Sequence, residues 1–493
     1  MICSISSFVL EGITATACQV EVSIARGQLS GTTIVGLPDT AVRESIERVR
    51  AAVLNSGYQW PDGHLTINLA PANLRKEGPM YDLPIAIAIL MASRTIQPCS
   101  SVRIDEILMA GELALDGSVR GIRGTASMVL LGYRSRMQAM LVPESNRIEA
   151  SIIQKTSVLA VHSLSEVVGW INGDKMLRQV EVDDIQPETG MEDFVSVFAQ
   201  ESVKRAMLIA AAGWHNMLML GPPGTGKSML ARCLPGILPP LTDQELMEVI
   251  QIRSCIGWPD EEALCRRPPF RSPHHSCTPA AVIGGGSHPR PGEISLSHHG
   301  ILFLDELSEF PRSVLETMRQ PLEEHAVTIA RASGSVRYPA RCLLIAAMNP
   351  SRDGRSNGRS RDDALRRLSA PLLDRIDLHV EVPKVSIGHL RRANPGLSTD
   401  DLALMVKSAR VRMRERQGDR LNGMLDGGSL DSIAGFKTEA LDFLEESIQE
   451  LGMSARAWNR LRRVARTIAD IDGHERVELP DAIEAIGYRA IER

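Results

Sequence analysis

The sequence predicts an α/β protein with three folded parts. Before about residue 170, apolar residues alternate as in strands or recur with helical spacing, which indicates a separate α/β domain. In the middle of the chain, buried apolar runs end in glycine-rich or acidic turns, which is typical of a parallel sheet with a nucleotide site. After about residue 395 the pattern is helical. The expected parts are 1–170, 193–394 and 395–493, with 171–192 as a linker.

Composition and charge exclude several classes of protein. Apolar residues make up 43% and charged residues 23% of the 493 residues, which is ordinary for a soluble globular chain. The net charge is -5, so any nucleic-acid contact has to come from a local basic strip or a pore. Aromatic residues make up 4%, which argues against an extended base-stacking surface.

Cysteine usage and hydropathy indicate a cytoplasmic protein. The eight cysteines are scattered without a Cys-x-x-Cys pair, which argues against a disulfide framework and a local zinc site. No run of about 18 apolar residues occurs, so no membrane span is expected. The N-terminus lacks the basic and apolar segments of a secretion signal.

The first 170 residues contain several strand and helix patterns. The run Pro84–Leu90 is so uniformly apolar that a helix and a strand both remain open. A polar, acidic stretch around Pro187 then indicates the linker. The other expected elements are a strand at Val20–Ile24, a helix capped by Asp39 or Thr40, a strand at His64–Leu69, and two strands within Ile107–Gly117 with a turn at Asp116–Gly117.

The stretch Gly221–Ser228 fits the P-loop pattern G-x-x-x-x-G-K-[ST] at every fixed position. The run Met217–Leu220 before it indicates a buried strand, and the residues from Met229 onward indicate a helix. The glycines let successive N–H groups point at phosphate oxygens, while Lys227 is expected to reach the β- and γ-phosphates. The expected nucleotide-binding residues are Gly221, Pro222, Pro223, Gly224, Thr225, Gly226, Lys227, Ser228 and Met229.

The run Gly300–Leu304 is an apolar strand that ends in Asp305 and Glu306. After a P-loop in the same domain, this pattern indicates a Walker B motif. Asp305 and the Ser228 hydroxyl would then bind Mg²⁺, and Glu306 would orient and deprotonate the attacking water. The simpler alternative is a buried strand that meets an acidic turn.

The C-terminal part is expected to consist of helices. Ser454 is a suitable N-cap for one of them, and Pro480 lies at the start of the last. The helical stretches are Ser398–Gln417, Thr438–Gly452, the run from Ser454 through Ile468, and the residues after Pro480.

The N-terminal part resembles the Lon-protease-type domain in Asp82–Ala86 and Gly111–Arg120. Ile85 stands where that family carries its serine, and Thr125 or Ala126 falls near the position of its lysine. Because a Ser–Lys dyad needs both its nucleophile and its base, the domain is expected to be non-proteolytic. A structural and a binding role remain equally open.

The nucleotide-binding part and the helices after it resemble AAA+ ATPases. The resemblance implies that Asn349, after the buried run Cys342–Met348, is sensor 1, and that Arg456 is sensor 2 in a C-terminal lid. The alternative for Asn349 is a turn residue before Pro350. Arg460 and Arg463 lie on the same helix as Arg456 and are second choices for sensor 2.

Arg375 resembles the arginine finger, which reaches the γ-phosphate bound by a neighbouring subunit. The alternative is a surface arginine paired with Asp374 or Asp377. If the resemblance holds, one chain cannot complete its own site, and ATP hydrolysis requires a ring.

Taken over nearly its whole length, the chain resembles the ComM/YifB family of magnesium-chelatase-like AAA+ ATPases. The diagnostic stretches are Phe270–His275, Gly284–Gly286, Pro291–Leu296, His298–Glu306 and Arg331–Ala340. The resemblance implies ATP and Mg²⁺ as cofactors, a homo-hexamer, and single-stranded or branched DNA as the partner in transformation and recombination.

Two segments suit that function. The stretch 245–299 fits a helix-2 insert, and Ala326–Pro339 fits a β-hairpin before sensor 1 whose Arg331 and Arg337 could grip phosphates in a pore. A solvated edge strand is an equally good interpretation of the two arginines. Many family members carry a cysteine cluster after Asn349-Pro350, whereas this chain has an arginine-rich stretch, Ser351–Asp363, which is a solvated loop or a second phosphate contact.

Other interpretations concern metal and function. The pairs His274-His275 and His298-His299 could bind a metal, but structural or loop contacts are the more common role. A motor that remodels a protein partner, as the magnesium chelatase AAA+ subunit does, is the main alternative to DNA translocation, although that subunit lacks a Lon-like domain. An ATP-gated scaffold fits less well, because the groups that activate water and act between subunits are intact.

Overall fold

The computed structural model describes residues 2–25, 31–153, 156–181, 192–257, 264–286, 289–331, 334–349, 368–384 and 396–489. It divides into two units, each with its own hydrophobic core. The first unit comprises Met1–Pro187 and Asp243–Cys265, and the second comprises Glu188–Thr242 and Arg266–Arg493. None of the helices in these described ranges has the length and apolar character needed to cross a membrane.

The first unit is built on a mixed β-sheet. Its strands are β1 (Ile2–Glu11), β2 (Thr14–Ala25), β3 (Gly31–Val35), β4 (His64–Ala70), β5 (Ile107–Met109), β6 (Glu112–Leu113), β7 (Val119–Arg120), β8 (Ala139–Pro143), β9 (Val158–Val161) and β10 (Arg178–Gln179). In the described part, the large sheet has the order β10-β9-β8-β5-β1-β2-β4-β3, and β6 and β7 form a separate hairpin. The edge strand β10 lies within the range expected to be a linker.

Helices cover this sheet, and the expected ones are present. Asp39 caps α1, with its side chain accepting a hydrogen bond from Val42 N at 2.8 Å. Pro84–Leu90 is part of a helix, α2, and is buried on every side, which is why periodicity could not decide its type. The helices of this unit are α1 (Thr40–Asn55), α2 (Asp82–Ala92), α3 (Thr125–Arg134), α4 (Arg147–Ala150), α5 (Leu164–Asn172) and, from later in the chain, α8 (Asp243–Ser254).

The strand pattern in Ile107–Gly117 is only partly as expected. The turn at Asp116–Gly117 is present, and Gly117 has a φ of 85°, which favours glycine. It joins β6 to β7, however, whereas β5 enters the large sheet between β1 and β8. The expected second strand is present only as the two-residue strand β6, whose partner across the turn is Val119–Arg120.

The second unit is built on a parallel sheet. Its strands are β11 (Met217–Leu220), β12 (Phe270–Arg271), β13 (Gly284–Gly285), β14 (Arg290–Pro291), β15 (Ile301–Leu304), β16 (Ala326–Arg331), β17 (Gly334–Pro339), β18 (Leu343–Met348) and β19 (Leu378–Glu381). Among them β12-β15-β18-β11-β19 form the five-stranded parallel sheet. The predicted strands before the P-loop, Asp305 and Asn349 are thus confirmed as β11, β15 and β18.

Helices surround this sheet and make up the C-terminal segment. Ser454 caps one of them, as the sequence predicts, and Ser398 caps another. The helices are α6 (Glu201–Gly213), α7 (Lys227–Cys233), α9 (Pro279–Ile283), α10 (Glu293–Leu296), α11 (Arg312–Thr317), α12 (Arg319–Glu324), α13 (Ala370–Leu373), α14 (Thr399–Gln417), α15 (Gly427–Ile433), α16 (Thr438–Leu451), α17 (Ala455–Asp472) and α18 (Leu479–Gly487).

The stretch 245–299 is not a single insert. Phe270–Arg271 pairs with Ile301–Leu302 as the edge strand of the parallel sheet, so it belongs to the core of the second unit. The helix α8 belongs to the first unit, where Gln251 Nε2 donates to Ile13 O at 3.2 Å and Ser254 Oγ accepts from Gly124 N at 2.9 Å. A two-residue strand is too short to leave a periodic signal in the sequence.

The expected hairpin is present as β16 and β17, immediately before β18. Arg337 lies on β17 and is exposed. The residues 332–333 at the turn, and the arginine-rich stretch Ser351–Asp363, lie outside the described residues, and only the backbone of Arg331 is described.

Candidate functional site

The P-loop connects the buried strand β11 to the helix α7. Gly224 and Gly226 have φ values of 78° and 85°, in the left-handed region that a residue with a Cβ resists. Because α7 begins at Lys227, its first N–H groups face the loop and are available to an anion. The local backbone is therefore a cradle for phosphate groups.

The side chain of Lys227 is folded back over this loop and is almost completely buried. Burial lowers its pKa, and the charges of Asp305 and Glu306 oppose that shift. Its Nζ donates to Gly221 O at 2.7 Å, to Pro222 O at 2.9 Å and to Asn349 Oδ1 at 3.0 Å. The amide expected to be sensor 1 therefore lies beside the lysine of the P-loop.

Ser228, the second residue of α7, lies beside Asp305, the residue that follows β15. The Ser228 hydroxyl donates to Asp305 Oδ2 at 2.6 Å, and Asp305 Oδ1 accepts from Glu306 N at 2.9 Å. A hydroxyl and a carboxylate are hard oxygen ligands of the kind that Mg²⁺ prefers. The two residues predicted to bind a metal ion are thus adjacent and chemically suited to it.

Glu306 has a strained backbone and a defined partner. Its φ is 52°, which is unusual for a residue other than glycine and is often retained at functional sites. Its side chain is 50% exposed, and Oε2 lies 3.3 Å from His275 Nδ1. The ring of His275 lies against that of His274 in a tilted arrangement with centroids 4.1 Å apart, and it meets Phe310 in an edge-to-face arrangement. His275 therefore fixes one side of the carboxylate.

The role of His275 was missed by sequence reasoning, which considered the histidine pair only as a structural or metal site. A usable signal exists, since His274-His275 follow β12, and polar residues after the strands of a parallel sheet meet at one edge. The other pair has a structural contact, because His298 Nδ1 accepts a hydrogen bond from Arg341 N at 2.9 Å.

Arg375 lies in a cavity of about 330 Å³ in the second unit. Arg375 Nη1 donates to Pro371 O at 2.6 Å, and Nη2 is paired with Glu323. Asp374 and Asp377, the alternative partners of Arg375, have other contacts. Asp374 pairs with Arg460 at 3.4 Å, and Asp377 lies against His215. The cavity is also lined by the other arginines that the sequence singles out, Arg456, Arg460 and Arg463.

The register of the sheet places this cavity away from the P-loop. Met217 pairs with Leu378 and Leu220 with Glu381, so β11 and β19 run side by side in the same direction. The P-loop follows the carboxyl end of β11, whereas Arg375 precedes the amino end of β19. Four residues of strand separate the two ends by about 13 Å at ~3.3 Å per residue. The structure thus groups one set of residues at the carboxyl ends of the parallel strands, namely Lys227, Ser228, Asp305, Glu306 and Asn349. Arg375 and Arg456 lie at the amino ends.

Family comparisons agree with this architecture. The family models that match are described as magnesium chelatase subunit ChlI over residues 193–390, subunit ChlI of Mg-chelatase over 20–146, and magnesium chelatase subunit ChlI C-terminal over 396–489. Together with the parallel sheet and the P-loop, they define a protein of the AAA+ class related to magnesium chelatase.

Individual relatives narrow this class. The chain is 42% identical over 490 residues to the protein YifB of Escherichia coli strain K12, covering 98% of this chain and 96% of the relative. It is 38% identical over 499 residues to the competence protein ComM of Haemophilus influenzae, with 98% and 96% covered. It is 27% identical to the magnesium-chelatase 38 kDa subunit of Cereibacter sphaeroides over 38% of this chain and 58% of the relative. The chain belongs to the ComM/YifB family.

Proposed function

We propose that the protein is a ring-forming ATPase that couples ATP hydrolysis to DNA translocation and branch migration during natural transformation and homologous recombination, in the cytoplasm. The observation that carries the proposal is the division of the site: the phosphate cradle lies at the carboxyl ends of the parallel strands and the arginine cavity at their amino ends. A site divided in this way is completed when the cavity of one subunit faces the cradle of the next. Such head-to-tail contacts close into a ring when the rotation between neighbouring subunits completes a full turn.

ATP and Mg²⁺ fit the residues at the P-loop edge. Gly224 and Gly226 adopt left-handed backbone conformations, which let N–H groups of the loop point at phosphate oxygens. The Lys227 ammonium has carbonyl acceptors that phosphate oxygens would replace. Ser228 and Asp305 would hold the metal ion. When bound, Mg²⁺ neutralises charge on the phosphates and thereby lowers the barrier to phosphoryl transfer. Glu306 would then act as the base for water, with Asn349 beside Lys227 orienting that water.

Replacing His275 by Ala should lower ATP turnover about tenfold, which corresponds to ~1.4 kcal/mol. The loss follows because Glu306 would keep its charge but lose the partner 3.3 Å away that fixes one oxygen of the carboxylate. Steady-state turnover with saturating ATP measures the effect, and His274→Ala, which removes the stacked neighbour instead, is the matched control. Unchanged turnover in His275→Ala would show that Glu306 needs no such partner.

The arginine cavity supports action between subunits. Arg375 and Arg456 line one space, although they come from the turn before β19 and from α17. A planar, permanently charged guanidinium is suited to the charge that spreads over a transferring phosphoryl group. Arg375 is held by Pro371 O and Glu323 in the single chain, and a phosphate from the next subunit would replace the glutamate. A homo-hexamer is the proposed assembly.

DNA as the partner is supported by one relative and one element. The relative ComM, which matches nearly the whole chain, is described as a competence protein. The hairpin β16–β17 carries an exposed arginine, Arg337, on its second strand. In a ring of six copies, hairpins of this kind would present a local basic strip that the net charge of -5 does not provide.

Replacing Arg337 by Ala should weaken binding of single-stranded DNA and flatten its salt dependence. Each lost phosphate contact should reduce the slope of log K against log salt by about 0.7. Fluorescence anisotropy at four salt concentrations measures the slope. Arg414→Ala, which removes an exposed arginine of α14 paired with Asp419, is the control. An unaltered slope for Arg337→Ala would place the DNA elsewhere.

The proposed function as a whole is tested by ATP turnover with and without forked or single-stranded DNA, together with a three-stranded branch-migration assay. We expect DNA to stimulate turnover and ATP to drive strand movement. Absence of both effects would favour the alternative, a protein-remodelling motor related to the magnesium chelatase AAA+ subunit. That alternative has its own support, because the matching family models are described by that subunit, including the one over residues 20–146. The N-terminal unit therefore does not by itself separate the two functions.

A further inference from the structure

Two residues before the P-loop strand connect parts of the second unit that lie far apart in sequence. Asn216 is the residue immediately before β11, and its side chain makes two long-range hydrogen bonds. Oδ1 accepts from Leu344 N at 2.9 Å, and Nδ2 donates to Arg375 O at 2.9 Å. One amide therefore ties the strand that directly precedes Asn349 to the turn that carries Arg375.

The backbone of Asn216 reinforces the second of these connections. Its carbonyl oxygen accepts from Asp377 N at 2.9 Å and from Leu378 N at 3.0 Å. The turn from Arg375 to Leu378 is thus held at three points by a single residue. A displacement of Asn216 would move the turn as a whole.

His215 extends the connection to the C-terminal helices. The ring is fully buried, and Nε2 lies 2.7 Å from Thr467 Oγ1 on α17, while Nδ1 lies 3.6 Å from Asp377 Oδ2. A Cβ on Gly213 would lie 2.2 Å from His215 Nε2, so the ring fills space that only glycine leaves open. His215 therefore stands between the turn of Arg375 and the helix of Arg456.

The acidic residues of the turn that carries Arg375 face arginines of α17. Burial alone would raise the pKa of Asp377, but His215 and the charges of Arg460 and Arg463 hold it below its ordinary value. Asp374 pairs with Arg460 at 3.4 Å, and Arg460 is also on α17. The turn and α17 are thus joined by His215 at one point and by an ion pair at another.

We propose that His215 and Asn216 form a positioning junction, which holds the turn of Arg375 and the helix of Arg456 in the geometry needed to complete the ATP site of the neighbouring subunit. Through Leu344 the junction also connects that geometry to β18, the strand that directly precedes Asn349 of the subunit's own site. The inference rests on the proposed ring ATPase. His215 and Asn216 directly precede the strand that leads into the P-loop of their own chain. Their proposed role is nevertheless in the catalysis of the neighbouring subunit.

Three substitutions at two positions test the junction without emptying the core. Asn216→Asp keeps an acceptor for Leu344 N but removes the donor to Arg375 O. Thr467→Val preserves volume and removes the hydroxyl beside His215 Nε2. That hydroxyl also accepts from Asn422 Nδ2 at 3.1 Å and donates to Arg463 O at 2.9 Å. Thr467→Ser restores the hydroxyl. We expect Asn216→Asp and Thr467→Val to lower turnover at least tenfold at saturating ATP with an unchanged affinity for nucleotide, and Thr467→Ser to recover most of the turnover.

Mixed rings distinguish the proposed role from a defect in the variant's own site. Lys227→Ala subunits have an inactive cradle and an intact Arg375, so they should restore the sites of Asn216→Asp subunits. In a random equal mixture, turnover per Asn216→Asp subunit should rise to about half of the wild-type value, because about half of these subunits face an intact neighbour. Mixing with Arg375→Ala should restore nothing, because neither subunit then supplies a positioned arginine.

Each outcome has a defined meaning. Recovery with Arg375→Ala subunits, or reduced nucleotide affinity in Asn216→Asp and Thr467→Val, would overturn the junction, because the defect would then lie in their own cradle. No recovery with Lys227→Ala would also overturn it, provided that Lys227→Ala subunits restore turnover by Arg375→Ala subunits. If that last pair fails to complement, the proposed site between subunits is itself wrong. Native mass spectrometry of each mixture establishes that rings have formed.

Discussion

Replacing Glu306 by Gln should abolish ATP turnover while leaving ATP binding intact. A positioned general base contributes roughly 10²–10⁴-fold to a rate, and glutamine retains the shape of glutamate without its ability to take a proton. Glu306 makes no bond to Lys227 or Ser228, which are held instead by Asn349 and Asp305. The phosphate cradle should therefore survive the substitution. Turnover by coupled assay and affinity for a fluorescent ATP analogue measure the two effects separately.

The contrast with Lys227→Ala makes this expectation specific. That substitution removes the ammonium that donates to Gly221 O, Pro222 O and Asn349 Oδ1, so binding and turnover should both fall. Glu445→Gln, on the exposed side of α16, makes the same chemical change far from the P-loop in sequence and should alter neither property. A loss of nucleotide binding in Glu306→Gln would contradict the assignment of Glu306 as the base.

The features that the sequence predicts well are those encoded in a few neighbouring residues. The P-loop pattern, the strand before it and the helix after it are encoded in one contiguous stretch, and the structure confirms the strand and the helix. The caps Asp39 and Ser454 are also local, since each side chain accepts from an N–H three residues further on.

The features that the sequence does not predict depend on pairing between distant segments. The strand β12 has two residues, and only its register with β15 makes it part of the sheet and brings His275 beside Glu306. In the same way, α8 has an ordinary helical pattern, and nothing in that pattern says that it joins the first unit. Local propensity carries little information about such long-range contacts.

Arg375 and Arg456 show the difference between what a local sequence motif predicts and what depends on long-range contacts. The resemblance to AAA+ proteins singles out Arg375 and Arg456 individually, each from its own short motif. It does not say that they share one cavity, or that the cavity lies at the amino end of β19. The position of the cavity follows from the parallel register of β11 and β19. Because Arg375 and Arg456 share this cavity, they support one hypothesis, a site between subunits.

Replacing Arg375 by Ala should lower turnover by about 10³-fold, the lower end of what an arginine finger contributes. Nucleotide affinity should remain near the wild-type value, because Arg375 lies about 13 Å of strand away from the P-loop of its own chain. Arg375→Lys should rescue little, since an ammonium keeps the charge but lacks the planar fork that now contacts Pro371 O and Glu323. Single-turnover kinetics and equilibrium binding separate the two quantities.

Mixing Arg375→Ala with Lys227→Ala then tests where the arginine acts. Neither variant should turn over ATP alone, but an Arg375→Ala subunit retains its cradle and a Lys227→Ala subunit retains its arginine. Where the first faces the second, a complete site forms, so turnover per Arg375→Ala subunit should recover to about half of the wild-type value in a random equal mixture. A defect within one chain could not be repaired in this way, because the intact lysine and the intact arginine never occur in the same subunit. Failure to recover, with mixed rings shown to be present, would mean that Arg375 supports its own fold and that the cavity at the amino end of β19 serves another purpose.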